Sequence, residues 1–390
     1  MPKYKFGDVV REVKINIDRN NNPYEYYIAG EHMDTNELHL QRRGTFEGSD
    51  VGPAFIRLFK PGQILYGSRR TYLRKVAVAD FEGITSNTTF VLESKDETKL
   101  CQRLLPFIML SDAFTQYSIS KSKGSTNPYI LFSDLSEYEL NLPEIEQQRA
   151  LADVLWALDS TKKAYRNLII STDELVKSQF IEMFGADAAE RNGYSLVALA
   201  DIFDKPQGGE WGEDDTTGIG TPVLRTTNFT DGGYIDYSDV ATRIIPAEKI
   251  KKKALTPGDI LIEKSGGSGE KPVGRVVFFE GEPEKYLNNN FTARLHLSGK
   301  YTFNPAYVFY FMFVNYWQGG TKIFEGKTTG IHNLRLGDFL NGTQIPIAEI
   351  AKQNEFETIM RQSDKSKFEL EQAIQRIDNL IKSLIQQNND

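Results

Sequence analysis

One passage of this chain occurs twice, about 205 residues apart, and each copy runs into a long amphipathic helix. In the first copy the loop KSKGSTNPYILFSDL leads to a polar strand ending at Pro143, then to a helical stretch that opens around Gln148. In the second, FEGKTTGIHNLRLGDF leads to Pro346, then to a stretch containing Gln353. At that offset Gln353 falls on Gln148, Asp364 on Asp159, Lys367 on Lys162, Asp378 on Asp173 and Lys382 on Lys177. Apolar positions superpose as well: Leu151 with Phe356, Leu155 with Met360, Tyr165 with Leu370 and Phe180 with Ile385. A duplicated domain-plus-helix unit implies an object with pseudo-two-fold symmetry, and that suggests a partner with its own two-fold symmetry.

The 390 residues suffice for two domains of ordinary size, each with its own core. Cys101 is the only cysteine, which excludes an internal disulfide and a Cys-based zinc site and fits a reducing cytoplasm. His32, His39, His296 and His332 are scattered and make no ligand cluster, so no metal is expected. The N-terminus lacks an apolar signal core, and the run from Tyr307 to Trp317 is too short to span a bilayer. No membrane association is expected. A net charge of −7 argues against a chain that coats nucleic acid alone, but leaves room for local basic patches.

Residues 1–143 read as β-rich: YEYYIAG, AFIRLF, QILYGS, KVAVAD and TTFVLE are short runs punctuated by Gly, Asn and Asp. Helical spacing of Leu100, Leu104, Phe107, Ile108 and Phe114 predicts a helix near Thr98 to Tyr117. Residues 186–346 repeat this order with TPVLRTTNF, GDILIEKSG, GRVVFF and FTARLHL, then a helix around Pro305 to Tyr316. PGQILYGS and PGDILIEKS are matching landmarks. Residues 144–185 and 347–390 form the two helical stretches. Each is about 38 residues, on the order of 57 Å long. Their matched apolar stripes with charged flanks predict an antiparallel coiled coil, the alternative being two helices lying on their own domains. The fold class expected is α+β: two β-rich domains joined by two long antiparallel coiled-coil helices.

This arrangement resembles the specificity subunit of Type I restriction–modification systems. The resemblance covers essentially the whole chain. It rests on the paired PGxIL-type strands, the Gly-Ser/Thr-Thr loops with Asp-Leu/Phe beyond them, and the helix entry at Pro143, Glu146, Gln147 and Gln148. The second copy keeps Pro346 and Gln353 but lacks the Glu-Gln pair. The family implies a non-catalytic subunit whose two target-recognition domains each read one half of a split sequence in double-stranded DNA. It further implies that the helices act as a spacer and as the dock for two adenine methyltransferase (modification) subunits. Restriction/translocase subunits join that core. No cofactor of its own is implied.

Basic and polar residues fall where reading loops are needed. The first domain offers Arg42, Arg43, Ser68, Arg69, Arg70, Arg74, Asn87, Lys121, Lys123, Ser125 and Thr126. The second offers Arg225, Asn228, Lys264, Ser265, Ser268, Lys271, Arg275, Asn289, Lys327, Thr328, Thr329 and Asn333. Arg pairs bidentately with guanine and Asn with adenine, while Ser, Thr, Lys and glycine amides suit phosphate. Solvated loops are the bland alternative for any one of them. The Lys-rich run 249–253 reads as a solvated face or a nonspecific phosphate contact.

Catalytic readings fail on spacing. Gly320 and Gly326 enclose five residues where a P-loop has four, and Pro272 stands after Lys271 where a hydroxyl ligand is required. Asn127-Pro128-Tyr129 is similar to an amino-methyltransferase tetrapeptide but lacks its second proline. Asp8 lies too close to Glu12 and Lys14 for a nuclease set. Two competing functions remain: a coiled-coil scaffold whose twin domains bind protein or glycan, and a reader serving a fused methyltransferase–nuclease.

Overall fold

A computed structural model describes residues 2–18, 22–267, 271–328 and 331–387, the side chains of Lys327, Thr328 and Ile331 excepted. The chain divides into two compact units: Met1–Asn167 with Leu370–Asp390, and Leu168–Glu369. Each unit therefore holds one β-rich body and a stretch of both long helices, the central helix Ile145–Phe184 and the second long helix Ile350–Gln387.

In the first unit Lys3–Lys5 pairs antiparallel with Glu139–Asn141. One four-stranded antiparallel sheet runs in the order Val10–Glu12, Thr89–Ser94, Ile64–Gly67, Val76–Val78. A second has the order Gly44–Thr45, Tyr26–Ile28, Gly83–Ser86, Phe55–Phe59, its inner pair parallel. Because side chains alternate along a strand, Ile64 and Tyr66 join the core under the helices while Leu65 joins the core with Ile28 and Phe59 from the second sheet. This two-sided burial explains why the strand reads as a continuous apolar run.

The second unit repeats the plan. Leu196–Ala198 pairs with Gln344–Pro346. One sheet runs Gln207–Gly208, Thr292–Leu295, Ile260–Glu263, Val276–Phe278. The other runs Glu213–Asp214, Ala241–Ile244, Thr221–Leu224, Leu287–Asn288, again with one parallel pair. Ile260 and Ile262 face the helix-side core and Leu261 the opposite one. This unit adds a three-stranded sheet of Ser265–Gly267, Ile331–Leu334 and Glu325–Thr328.

The helix expected near Thr98 to Tyr117 is two helices, Leu105–Met109 and Asp112–Lys121. Ser111 takes an extended conformation and its side chain accepts from Phe114 N, so it caps a new helix where the apolar spacing alone suggested continuation. Its counterpart Pro305–Trp317 is unbroken, with Asn304 as N-cap and proline in the first turn. None of the described helices is long and apolar enough to cross a membrane.

The long helices both pair and pack on the bodies. In the first unit Ala152, Leu155 and Ile385 enter the core, and in the second Val176, Phe180, Phe356 and Met360 do. Lys162 reaches Asp378 at 3.1 Å in the first unit, and Lys367 reaches Asp173 at 2.7 Å in the second. The early part of one helix thus meets the late part of the other within each unit, which is antiparallel pairing.

The two superposed glutamines do the same work in each unit. Buried Gln148 accepts from Cys101 N at 3.0 Å and donates to Lys99 O and Pro143 O at 2.8 and 2.9 Å. Buried Gln353 accepts from Asn304 N at 2.8 Å and donates to Ala348 O at 2.7 Å. Replacing Gln148 with Leu would orphan three backbone groups around a buried site. We expect a loss of about 3 kcal/mol, read as a lowered denaturation midpoint, with Gln353→Leu costing somewhat less.

Candidate nucleic-acid interface

In the first unit the end of strand Ile64–Gly67 is tied to two other loops. Ser68 N and Oγ donate to Thr88 O at 3.2 and 2.6 Å, and Ser68 O accepts from Ile130 N at 2.9 Å. Arg69 and Lys123 each bridge to Tyr129. Arg70 N donates to Pro128 O at 2.6 Å and Arg70 Nε to Asn127 Oδ1 at 3.2 Å. Arg70 itself sits in the left-handed region (φ 50°, ψ 56°), which costs a non-glycine residue on the order of 1 kcal/mol. The fold therefore spends conformational energy to hold this arginine on a ledge. Arg69, Arg70, Asn87, Lys121, Lys123, Ser125 and Thr126 are all exposed there or on the adjoining loops. Lys123 forms an ion pair with Asp134 at 2.8 Å, and the Lys121 ammonium lies over the Tyr117 ring at 5.8 Å.

The second unit builds its ledge from the equivalent strand end. Lys264 N and Ser265 N donate to Phe291 O at 2.7 and 3.3 Å, and Lys264 O accepts from Leu334 N at 2.8 Å. The Ser265 hydroxyl meets Asn333 Oδ1 at 2.5 Å. Here the partner segment is a regular hairpin, whereas the first unit uses isolated bridges. Burial, and secondarily the Lys253 charge, holds the Lys264 pKa below the ordinary lysine value. Its ammonium has no ion-pair partner among the described residues, so an arriving anion would relieve that penalty. Lys327 and Thr328 lie on the hairpin strand Glu325–Thr328, their side chains outside the description; Ser268 and Thr329 fall outside the described residues.

Five of the expected contact residues have internal hydrogen-bond partners. The Ser68 hydroxyl is buried on Thr88 O. Arg74 turns inward to Asp112 and Leu110 O. Asn228 is buried, accepting from Arg225 N and donating to Asp236 O and Asp239 O. Arg275 pairs with Glu263 and donates to Phe229 O and Thr226 O. Asn289 is buried in the turn that carries Phe291. A Gly-flanked loop in the sequence does not disclose which of its polar side chains turn inward.

Four more are exposed or half-exposed and have internal partners. Arg42 pairs with Asp34, and the Arg43 guanidinium stacks 3.7 Å over the Tyr26 ring. Arg225 pairs with Asp239 at 3.1 Å, and Lys271 with Asp231 at 2.9 Å. In the 249–253 run, which lies on helix Ala247–Lys253, Lys249 and Lys253 both pair with Glu210.

The sequence reading missed the aromatic members. Tyr72 and Tyr129 are exposed on the first ledge, and Phe291 is 56% exposed beside Lys264. Exposed aromatic rings beside basic side chains suit sugars and thymine methyls. The available signal was aromatic residues interleaved with the basic loops.

Residues 5–170 match the family model described as Type I restriction modification DNA specificity domain. The chain is 22% identical over 187 residues to the Type I restriction enzyme HindI specificity subunit of Haemophilus influenzae, covering 47% of this chain and 40% of that protein. It is 28% identical over 130 residues to the EcoDI specificity subunit of Escherichia coli, covering 32% and 28%. A third relative, the MjaIX specificity subunit of Methanocaldococcus jannaschii, is 24% identical over 243 residues, covering 58% and 55%. The chain thus spans about two fifths of the first relative and just over half of the third. Among solved structures, one from work on complex assembly and conformational transition of the type I R-M system superposes with a TM-score of 0.58 at 16% identity, covering 99% and 97% of the two chains. The Type-I restriction-modification system S subunit from M. genitalium superposes at 0.51 with 13% identity, covering 100% and 96%. These structures share the fold.

Proposed function

We propose, from the premise that this chain carries the DNA specificity domain of Type I restriction–modification systems, that it is the sequence-reading subunit of such a complex. In this reading each unit's ledge contacts one half of a bipartite target in double-stranded DNA. The target-recognition domains are residues 1–143 and 186–346, and the helical stretches 144–185 and 347–390 serve as spacer and dock. Two adenine methyltransferase subunits dock there and supply the chemistry, and restriction/translocase subunits join through them. The chain itself performs no catalysis and acts in the cytoplasm.

The observation that carries the reading is the repeated ledge. In both units the end of one equivalent strand is hydrogen-bonded to a second loop carrying lysine, hydroxyl and asparagine side chains. Near-neutral bodies fit a reading in which methyltransferase subunits embracing the duplex complete the phosphate neutralisation.

The test is to co-purify the chain with the adenine methyltransferase subunit of a Type I system and to measure duplex binding against salt. Arg69→Ala with Arg70→Ala is expected to weaken binding about 10- to 100-fold and to flatten the log–log salt slope by roughly 1 to 2. An unchanged affinity and slope would remove the first ledge from the interface.

A further inference from the structure

The cavities, ion clusters and exposed apolar positions of each unit leave one unexplained repeat: a polar path from the long helices to the ledge. It begins at Asp159 and Asp364, which superpose in the duplication. In the first unit His39 Nε2 meets Asp159 Oδ2 at 2.7 Å. In the second the Tyr234 hydroxyl donates to Asp364 Oδ1. His39 and Tyr234 occupy the same place in the fold. Each follows the carbonyl that accepts from the third residue of an equivalent strand, Val78 N to Leu38 O at 2.8 Å and Phe278 N to Gly233 O at 3.2 Å.

The path continues in step. The loop bearing His39 presents Gly30 O to Lys75 Nζ, and the loop bearing Tyr234 presents Thr226 O to Arg275 Nη2 at 3.2 Å. Lys75 and Arg275 each stand one residue before the strands Val76–Val78 and Val276–Phe278, just beyond the ledges. Asn36 N also donates to Arg74 O at 3.3 Å, closing the first loop onto its ledge. Each aspartate is further held by the lysine three residues on, Lys162 at 3.5 Å and Lys367 at 3.1 Å.

His39 also lies with Glu37 and Asp159 in a group of potential metal ligands. Those carboxylates already carry cations: Arg166 pairs with Glu37, and Lys162 with Asp159. The arrangement is an ion-pair clasp, and a bound metal would have to displace both.

We propose that His39 and Tyr234 are positioning residues: each latches one ledge to the helices of its own unit and sets how that ledge is presented. The inference rests on the proposed reading of DNA only for its functional arm; the physical latch stands on the hydrogen-bond path alone. The chemistry differs, imidazole in one unit and phenol in the other, and each latch joins elements of its own unit only.

Hydrogen exchange on the full chain tests the latch without DNA. His39→Ala is expected to speed amide exchange about tenfold or more in residues 30–39 and 68–75, leaving 226–234 unchanged. Tyr234→Phe is expected to do the reverse, speeding 226–234 and leaving 30–39 unchanged. His39→Gln, whose amide can still donate to Asp159, should stay close to wild type. Variants that leave these segments unaltered, or that loosen both units together, overturn the proposal, as does loss of the whole first unit's protection in both His39 variants. In the methyltransferase complex, His39→Ala should weaken binding about tenfold to a duplex keeping only the first half-site, and leave the second half-site unaffected. If the wild-type complex reads no bipartite site, the proposed function fails while the exchange result still decides the latch.

Discussion

Arg275→Ala is expected to destabilise the second unit by about 3 to 5 kcal/mol, far beyond the effect of removing an exposed arginine such as Arg69. The reason lies in what it leaves behind. Glu263 is 2% exposed, and Arg275 is its ion-pair partner at 3.2 Å. The same guanidinium satisfies Phe229 O at 3.1 Å and Thr226 O at 3.2 Å. Burial disfavours the charged arginine, but hydrogen bonding and the Glu263 charge outweigh this and raise its pKa. Truncation strands a carboxylate and two carbonyls together. Exchange protection should collapse across the Ile260–Glu263 and Val276–Phe278 strands while the first unit keeps its own. Arg69→Ala should stay within about 0.5 kcal/mol of wild type in stability.

Lys162→Met is the second large effect, at about 3 kcal/mol. Lys162 is 5% exposed and Asp159 3% exposed, so removing the ammonium leaves a buried carboxylate supported by His39 alone. The equivalent Lys367→Met should cost less, about 1 to 2 kcal/mol, because Asp173 and Asp364 keep more contact with water. Chemical denaturation followed separately in each unit distinguishes the two. For Lys367, burial opposes the charge, but the hydrogen bonds and charges of Asp173 and Asp364 prevail and raise its pKa above the ordinary lysine value. Its contribution is therefore fully present below the unfolded lysine pKa and is lost as pH climbs through the folded one. The second unit should lose this contribution in strong alkali.

The duplication was legible because its markers are chemically demanding. A buried glutamine such as Gln148 or Gln353 and an Asp-Lys pair such as Asp159 with Lys162 tolerate few substitutes, so they stand out at a fixed offset. The strand pairs were legible because two-sided burial writes a continuous apolar run, as in Ile64–Gly67 and Ile260–Glu263. The helix break at Ser111 was not, since Phe107, Ile108 and Phe114 keep helical spacing across it and only the serine's cap reveals the new start. Within the candidate interface, the loops could be located but the side chains could not be oriented. Arg69 and Arg74 look alike in sequence, yet one is exposed and the other folds onto Asp112. The latch was invisible for a further reason. His39 and Tyr234 share no chemistry with each other, and their partners Asp159 and Asp364 lie more than a hundred residues away.

In the proposed function the two ledges read separate parts of one DNA target. The test is to map methylated adenines in cells that carry this chain with the proposed adenine methyltransferase subunit. A two-part methylated motif is expected, with Arg69→Ala and Arg70→Ala degrading recognition of one part and Lys264→Ala with Lys327→Ala degrading the other. A motif that stays intact in both parts in all of these variants would contradict it.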